Sequence, residues 1–452
     1  MKKFLKYKKN YHSLIKKEIN YIFDCLGNAL HKKEKYLISH VNANTGEVIN
    51  NTPIFEDFGD IVPLFLLCKK KSFLKNEFNA LDKHLSNDLY HSNNKFHSKN
   101  IVHTYDWSDL IYGLILFNKN KKNIKARLHI KKYFDLIKNQ IVKKKFISTV
   151  GLKFFKLTYF LPICSMNGCA MYPELLIYEK NTPSYKSNLS FAKKIINTWI
   201  NDQFYKKYNL FPDYLEYKGK KNLFDKIFIF IFKKHIRAKN NSVSLFKQNT
   251  NSIASILSIY LITQDQNYKN IIYDWYKALK KNLKKKDNLF VNKWSVNDKK
   301  IGVWHSSNFQ LVDILCDFNF YLNDKYFIIE AEHIANALIK KLGKFSILPL
   351  KKNDATAHCD SQVDFAVSLV KLYKLTKKKK YLKNSIKIMD SVKKYFYKKY
   401  GMVEFINTTN KKETTELCKI KFLILSLKGW LAIKYHKNIY EDIEFNNLLN
   451  DR

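Results

Sequence analysis

The chain has 452 residues, of which 46% are hydrophobic and 15% aromatic, enough to bury a large core rather than stay disordered. Its 11 glycines and 7 prolines form no Gly/Ser- or Pro-rich tract that would serve as a linker, which favours one domain spanning 1–452. The net charge of +42 suits an anionic partner such as an acidic glycan; abundant Lys, Asn and Ile are also what AT-rich coding produces, and the lysines are spread along the chain. No zinc-finger spacing, RNA-binding aromatic motif or basic zipper is present, which argues against a nucleic-acid partner.

From the N-terminus, residues 1–17 alternate lysines with aromatics and lack the apolar core of a signal peptide. Helices are expected at 61–67, 110–117 and 175–178, then a turn at 181–183 and a helix through Trp199. Residues 219–249 fit no repeat and read as an insertion. Within it the apolar run 227–232 is flanked by Lys226, Lys233, Lys234, His235 and Arg237, a pattern suited to contact with an anionic membrane surface. This run and 61–68 are far shorter than the roughly 20 residues that span a bilayer, so no transmembrane segment is expected. Further on, Phe365, Leu369, Leu372 and Tyr373 follow helical spacing, and Ile386, Met389, Val392 and Phe396 mark one face of the next helix. The last unit starts near Thr415, runs through Trp430 and ends incomplete after Tyr440.

These elements repeat. Tyr268, Tyr326 and Tyr381 each follow a first helix, about 55–58 residues apart, a period that means stacked helical hairpins. Asn288-Leu289-Phe290, Gly343-Lys344-Phe345 and Gly401-Met402-Val403 follow the second helices at matching intervals. Short extended segments are expected at 210–211, 289–291 and 402–405, with the Gly or Asn before each acting as a left-handed cap. The fold class is therefore all-α: an (α/α)6–7 toroid of helical hairpins, or an open solenoid.

Closing hairpins into a ring gathers the starts of the inner helices on one face, and those starts are polar. They carry Asp57 and Asp60, the cluster Asp106-Trp107-Ser108-Asp109, Glu174, Asn249, Trp304-His305, His358-Cys359-Asp360-Ser361-Gln362, and Glu416. Carboxylates for proton transfer, aromatics for stacking, and amides and histidines for hydroxyls are what a sugar-processing site needs. Catalytic roles are expected for Asp106, Asp109, His305, His358 and Asp360. Substrate-binding roles are expected for Asp57, Asp60, Trp107, Glu174, Trp304, Gln362 and Glu416. The competing explanation is capping, because Asp, Ser, Thr and Asn are favoured before helices whatever the function. His305, His358 and Asp360 lack tight ligand spacing, and no GxGxxG, P-loop or GxSxG motif occurs, so neither a metal nor a cofactor is expected. Cys359 beside His358 is weak support for a thiol nucleophile, since adjacent residues at a helix start point apart. Seven cysteines without regular spacing suggest free thiols in a reducing, cytoplasmic setting.

The segment 369–382, Leu-Val-Lys-Leu-Tyr-Lys-Leu-Thr-Lys-Lys-Lys-Lys-Tyr-Leu, resembles a repeat of the six-hairpin glycosidase-like (α/α) toroids, with lysines replacing the usual Gly-Asp. The stretch from Leu261 to Tyr268 echoes it. The resemblance covers about 249–437 and implies the fold of a superfamily containing uronyl hydrolases, other glycoside hydrolases, sugar epimerases and lyase domains. No single family's catalytic motif matches, so no residue role carries over. The expectation is a carbohydrate-active enzyme using acid/base chemistry on a glycan or uronate-containing sugar, as a hydrolase, epimerase or lyase. The alternatives are a non-catalytic helical scaffold binding a glycan or protein on its concave face, and an isoprenoid cyclase or transferase.

Overall fold

Two kinds of helix alternate along the chain, and burial separates them. The Cys359–Thr376 helix is buried around most of its circumference. The next, Lys379–Phe396, buries one stripe: Tyr381, Ser385, Ile388, Met389, Val392 and Phe396. The first pattern belongs to an inner helix and the second to an outer one. A computed structural model describes residues 2–87, 101–103, 105–144, 150–154, 157–161, 163–178, 184–216, 221–296, 302–343, 345–351, 354–410 and 412–436. The expected turn at 181–183, residues 219–220 and Tyr440 lie outside them.

The chain divides into two units. The first takes the described residues of 2–81, 287–289 and 304–436. Its inner helices are Phe58–Leu67, His305–Leu322, Cys359–Thr376 and Ile420–Tyr435. The last three pack side by side in chain order, and Ile420–Tyr435 also packs against Phe58–Leu67. Lys325–Ile339 and Lys379–Phe396 are the outer partners of the middle two. The 71–81 part of the Lys71–Asn87 helix backs Phe58–Leu67, with Phe65 edge-on to Phe73 at 5.9 Å.

The expectation that the last unit ends incomplete is corrected by the N-terminal helix, Lys2–Asn28, which packs on Ile420–Tyr435 as its outer partner. Lys393 ties Glu18 at 2.5 Å, and Tyr21 stacks on Tyr397 at 4.8 Å. The two ends of the chain thus build one hairpin.

The second unit contains three helical pairs: Tyr105–Lys121 with Ile124–Lys144, Tyr172–Ile177 with Tyr185–Ile200, and Thr250–Thr263 with Gln266–Leu283. In the region expected as an insertion stands the Leu223–Asn240 helix, opened by a capping box between Asn222 and Asp225.

Inner helices end in left-handed residues that are not glycine: Gln264, Asn323, Lys377 and His436. After Gln264, Asn323 and Lys377 the outer helix starts two residues on, and Asp265 and Asp324 cap theirs by accepting from Asn267 and Tyr326 N–H. Asn209 and Asn288 adopt the left-handed conformation expected of them. Gly401 does not: its role is close approach, since a Cβ there would stand 2.6 Å from Cys418 Sγ.

Short antiparallel strand pairs lead into the inner helices. Thr356–His358 pairs with Phe405–Asn407, setting His358 opposite Phe405. Leu417–Lys419 pairs with Ile38–Asn42, which also pairs with Val48–Pro53.

Candidate functional site

In the first unit three of the four inner helices carry two or more charges on one stripe. Asp360, Asp364 and Lys371 fall at i, i+4 and i+11 of one helix, Asp313 and Asp317 at i, i+4 of its neighbour, and Lys421 and Lys428 at i, i+7 of the other neighbour, so each set lies on one face. Charges on inner helices must pair, because an isolated buried charge is costly. Lys371 Nζ lies 2.8 Å from Asp317 and 3.3 Å from Asp313. Lys428 reaches Asp364 at 3.4 Å, and Lys421 reaches Asp57 at 3.4 Å.

The strand-to-helix junctions add a second cluster. His358 ends its strand and stands at the N-cap of the Cys359–Thr376 helix. Its Nδ1 bonds the Asp360 carboxylate, and its Nε2 lies 3.2 Å from Glu404 Oε1. Lys419, at the N-cap of the next inner helix, donates to the same Glu404 oxygen at 2.8 Å. The ring packs between Phe405 and Phe422, at 4.6 and 5.2 Å. With an acceptor at each nitrogen, the ring is set up as an imidazolium.

The electrostatics follow from this. Burial works against the charged form of His358, but the hydrogen bonds and charges of Asp360 and Glu404 outweigh it and hold the imidazole at about 9. Burial pushes Glu404 upward, yet His358 and Lys419 bring it below the ordinary glutamate value. Asp364 goes the other way: burial raises it, Lys428 offsets part of that, and the negative charges of Asp360 and Asp60 add to it. Lys428 is raised because Asp364, Asp60 and Asp313 overcome its desolvation. Asp313, Asp360 and Asp364 keep 35%, 31% and 33% of their side chains open, while Lys371 keeps 4%.

The other residues singled out from the sequence are placed as follows. Asp60 is in the first turn of Phe58–Leu67. His305 is 3% exposed; its Nδ1 bonds the Pro349 carbonyl, and its Nε2 has no hydrogen-bond partner among the described residues. Burial lowers its pKa, so the ring is neutral at pH 7. Trp304 lies beneath Lys351 Nζ, 4.7 Å from its ring centre. Gln362 is buried, and its amide bridges Leu348 N–H and C=O at 2.8 Å each. Glu416 is exposed and accepts from Asn42 at 2.9 Å. In the second unit, Trp107 is fully buried edge-on to Tyr133 at 5.1 Å. Asp109 is half-buried, and the Asp106 side chain lies outside the described residues. Burial pushes the Glu174 carboxyl up to about 7. The Asn249 amide is engaged by Phe211, Ser244 and Trp275.

Glu404, Lys419, Lys421, Asp364, Lys428, Lys371, Asp313 and Asp317 are absent from the sequence-derived set. A signal existed for several of them: Lys371 and Lys428 interrupt apolar runs, as in Ser-Leu-Val-Lys371-Leu and Leu-Ser-Leu-Lys428-Gly-Trp. Glu404 had none, because its meeting with His358 depends on the Thr356–His358/Phe405–Asn407 register. Among the described residues no group of three or more His, Cys, Asp or Glu is arranged to hold a metal ion, and no helix is long and apolar enough to cross a membrane.

Alternating inner and outer helices with polar inner-helix starts define the (α/α) toroid, and comparison with solved structures shows that fold. The α-1,2-mannosidase from Trichoderma reesei superposes with a TM-score of 0.68 at 8% identity, covering 94% of this chain and 93% of the mannosidase. A D-mannose isomerase gives 0.58 at 9% identity, covering 94% and 97%. The cellobiose 2-epimerase from Bacillus thermoamylovorans gives 0.55 at 12% identity, covering 94% and 99%. The chain thus shares the (α/α) toroid fold of these proteins. No protein-family model matches it, and no curated protein matches it in sequence.

Proposed function

We propose that this protein is a carbohydrate-active enzyme whose acid/base chemistry is carried by charged side chains on the inner helices of its first unit. The observation that carries this reading is the cluster of open carboxylates, Asp313, Asp360 and Asp364, backed by Lys371, Lys428 and His358. Its likeness to sugar hydrolases, isomerases and epimerases supports it at the level of fold.

Sites of this kind separate an acid from a base by pushing two carboxyl groups in opposite directions. Asp364, raised by burial and like charge, is the proton donor to a glycosidic oxygen. Asp360 or Asp313, open beside it, activates water or faces the cationic transition state. His358 is a positioning residue that fixes the Asp360 carboxylate.

One observation favours a second reading. His305 is neutral, and its Nε2 has no partner among the described residues, as expected of a base that removes a proton beside a carbonyl in a sugar epimerase or isomerase.

Incubating the full chain in D2O with mannosides, glucosides, free hexoses and uronate oligosaccharides, followed by proton NMR, separates these. New reducing ends indicate the hydrolase, and carbon-bound deuterium the epimerase. Glycan binding with no product in any arm contradicts enzymatic function and leaves a scaffold.

A further inference from the structure

The Leu223–Asn240 helix lies outside the repeats and presents an apolar surface outward. Leu223, Ile227, Phe230 and Ile231 are all exposed, Leu223 to 73% and Phe230 to 78%. At 3.6 residues per turn these four fall within an arc of about 100°. Ile236, Asp225 and Ile229 lie on the opposite side, and there the helix is attached: Ile236 joins a small core with Leu161, against which Tyr214, Phe228 and Ile229 pack. The helix is thus moored by one side and turns a row of large apolar side chains to solvent on the other. Soluble chains avoid such a row unless something covers it.

The flanking charge says what that is. Lys226 and Lys233 run along one border of the apolar arc, and Lys234 lies at its C-terminal end; all three are exposed. An apolar stripe bordered by lysines is the pattern of a helix lying in the plane of an anionic bilayer surface, with rings among the acyl chains and ammonium groups at the phosphates. A second copy docked about a two-fold axis would instead bring matching lysine rows together, in a chain already carrying +42.

We propose that this helix is an interfacial anchor that holds the protein on an anionic lipid surface, independently of the reaction assigned above. The orientation is specific: Phe230 and Ile231 enter the acyl region while Lys226 and Lys233 meet the headgroups.

The test is sedimentation of the full chain with vesicles of phosphatidylcholine alone, or with roughly one-third phosphatidylserine added. Binding is expected with phosphatidylserine and is expected to weaken with salt. Phe230→Ser with Ile231→Ser should reduce the partition coefficient by about 100-fold, near tenfold for each large apolar group withdrawn. Lys226→Glu with Lys233→Glu should also weaken it, and by less on neutral vesicles. All four side chains are exposed, so the circular dichroism spectrum should not change. Failure of the wild-type chain to bind either vesicle overturns the proposal. So does binding indifferent to both double variants, or light scattering that shows a dimer lost in the Phe230/Ile231 variant without vesicle binding.

Discussion

The tightest electrostatic arrangement in the first unit is His358 between Asp360 and Glu404, and Glu404→Gln probes it with little change of shape. The rise of His358 from 6.5 to about 9 corresponds to about 3 kcal/mol favouring the imidazolium in the folded chain. A raised folded-state value means that this stabilisation is fully present below pH 6.5 and is lost as pH climbs through about 9. Glutamine keeps an acceptor near Nε2 but removes one of the two charges that overcome desolvation. The imidazole should then titrate lower, on the order of one to two pH units, with about 2 kcal/mol lost at pH 6. That deficit should shrink toward pH 10, where the wild-type ring is itself neutral; the part due to the lost Lys419 contact remains. The assay is urea unfolding at pH 6, 8 and 10, paired with NMR titration of the His358 ring. A wild-type ring titrating at or below 6.5, or a deficit that does not change with pH, would refute the reasoning.

Three further outcomes are expected. Glu77 is buried, accepts from Leu37 N–H at 2.8 Å through one oxygen, and has no partner for the other among the described residues. Burial raises it from 4.5 to about 8, so its ionisation should erode stability as pH rises between those values. Glu77→Gln should therefore raise the unfolding free energy at pH 9 by several kcal/mol, at most about 5, and leave it nearly unchanged at pH 4; equal effects at both pH values argue against a buried neutral acid. Gly401→Ala should cost about 1–3 kcal/mol in chemical denaturation, because its Cβ meets Cys418 Sγ at 2.6 Å. Adding Cys418→Ala should recover part of the loss, and strict additivity would show that the two positions do not touch.

How much of this was legible in the sequence depended on the range of each interaction. The hairpins could be read because Tyr268, Tyr326 and Tyr381 mark the start of each outer helix and the apolar spacing within a hairpin is local. The pairing of Lys2–Asn28 with Ile420–Tyr435 could not, since it joins opposite ends of the chain and neither helix alone names its partner. Gly401 was expected to serve its backbone conformation, and what it serves is a neighbour from another strand, which composition does not record. In the proposed site, His358 and Asp360 were singled out by their place at a helix start. Asp364, Lys371 and Lys428 left a readable mark, a charge inside an apolar helix, but helix starts drew the reading toward capping positions. Trp107 shows the converse: its company of two aspartates suggested a sugar platform, while its ring packs fully buried against Tyr133.

In the function proposed above, Asp364 donates the proton in a sugar-processing reaction. The most direct measurement is kcat/KM of Asp364→Asn beside a control, Asp202→Asn, at the N-cap of the Gln203–Tyr208 helix in the second unit. Both are assayed on the sugar that the D2O screen identifies. A loss of about 100-fold or more is expected for Asp364→Asn, restored in part on a substrate whose leaving group needs no proton, and a change of about twofold or less for the control. An Asp364→Asn enzyme that folds and turns over at the wild-type rate would contradict it.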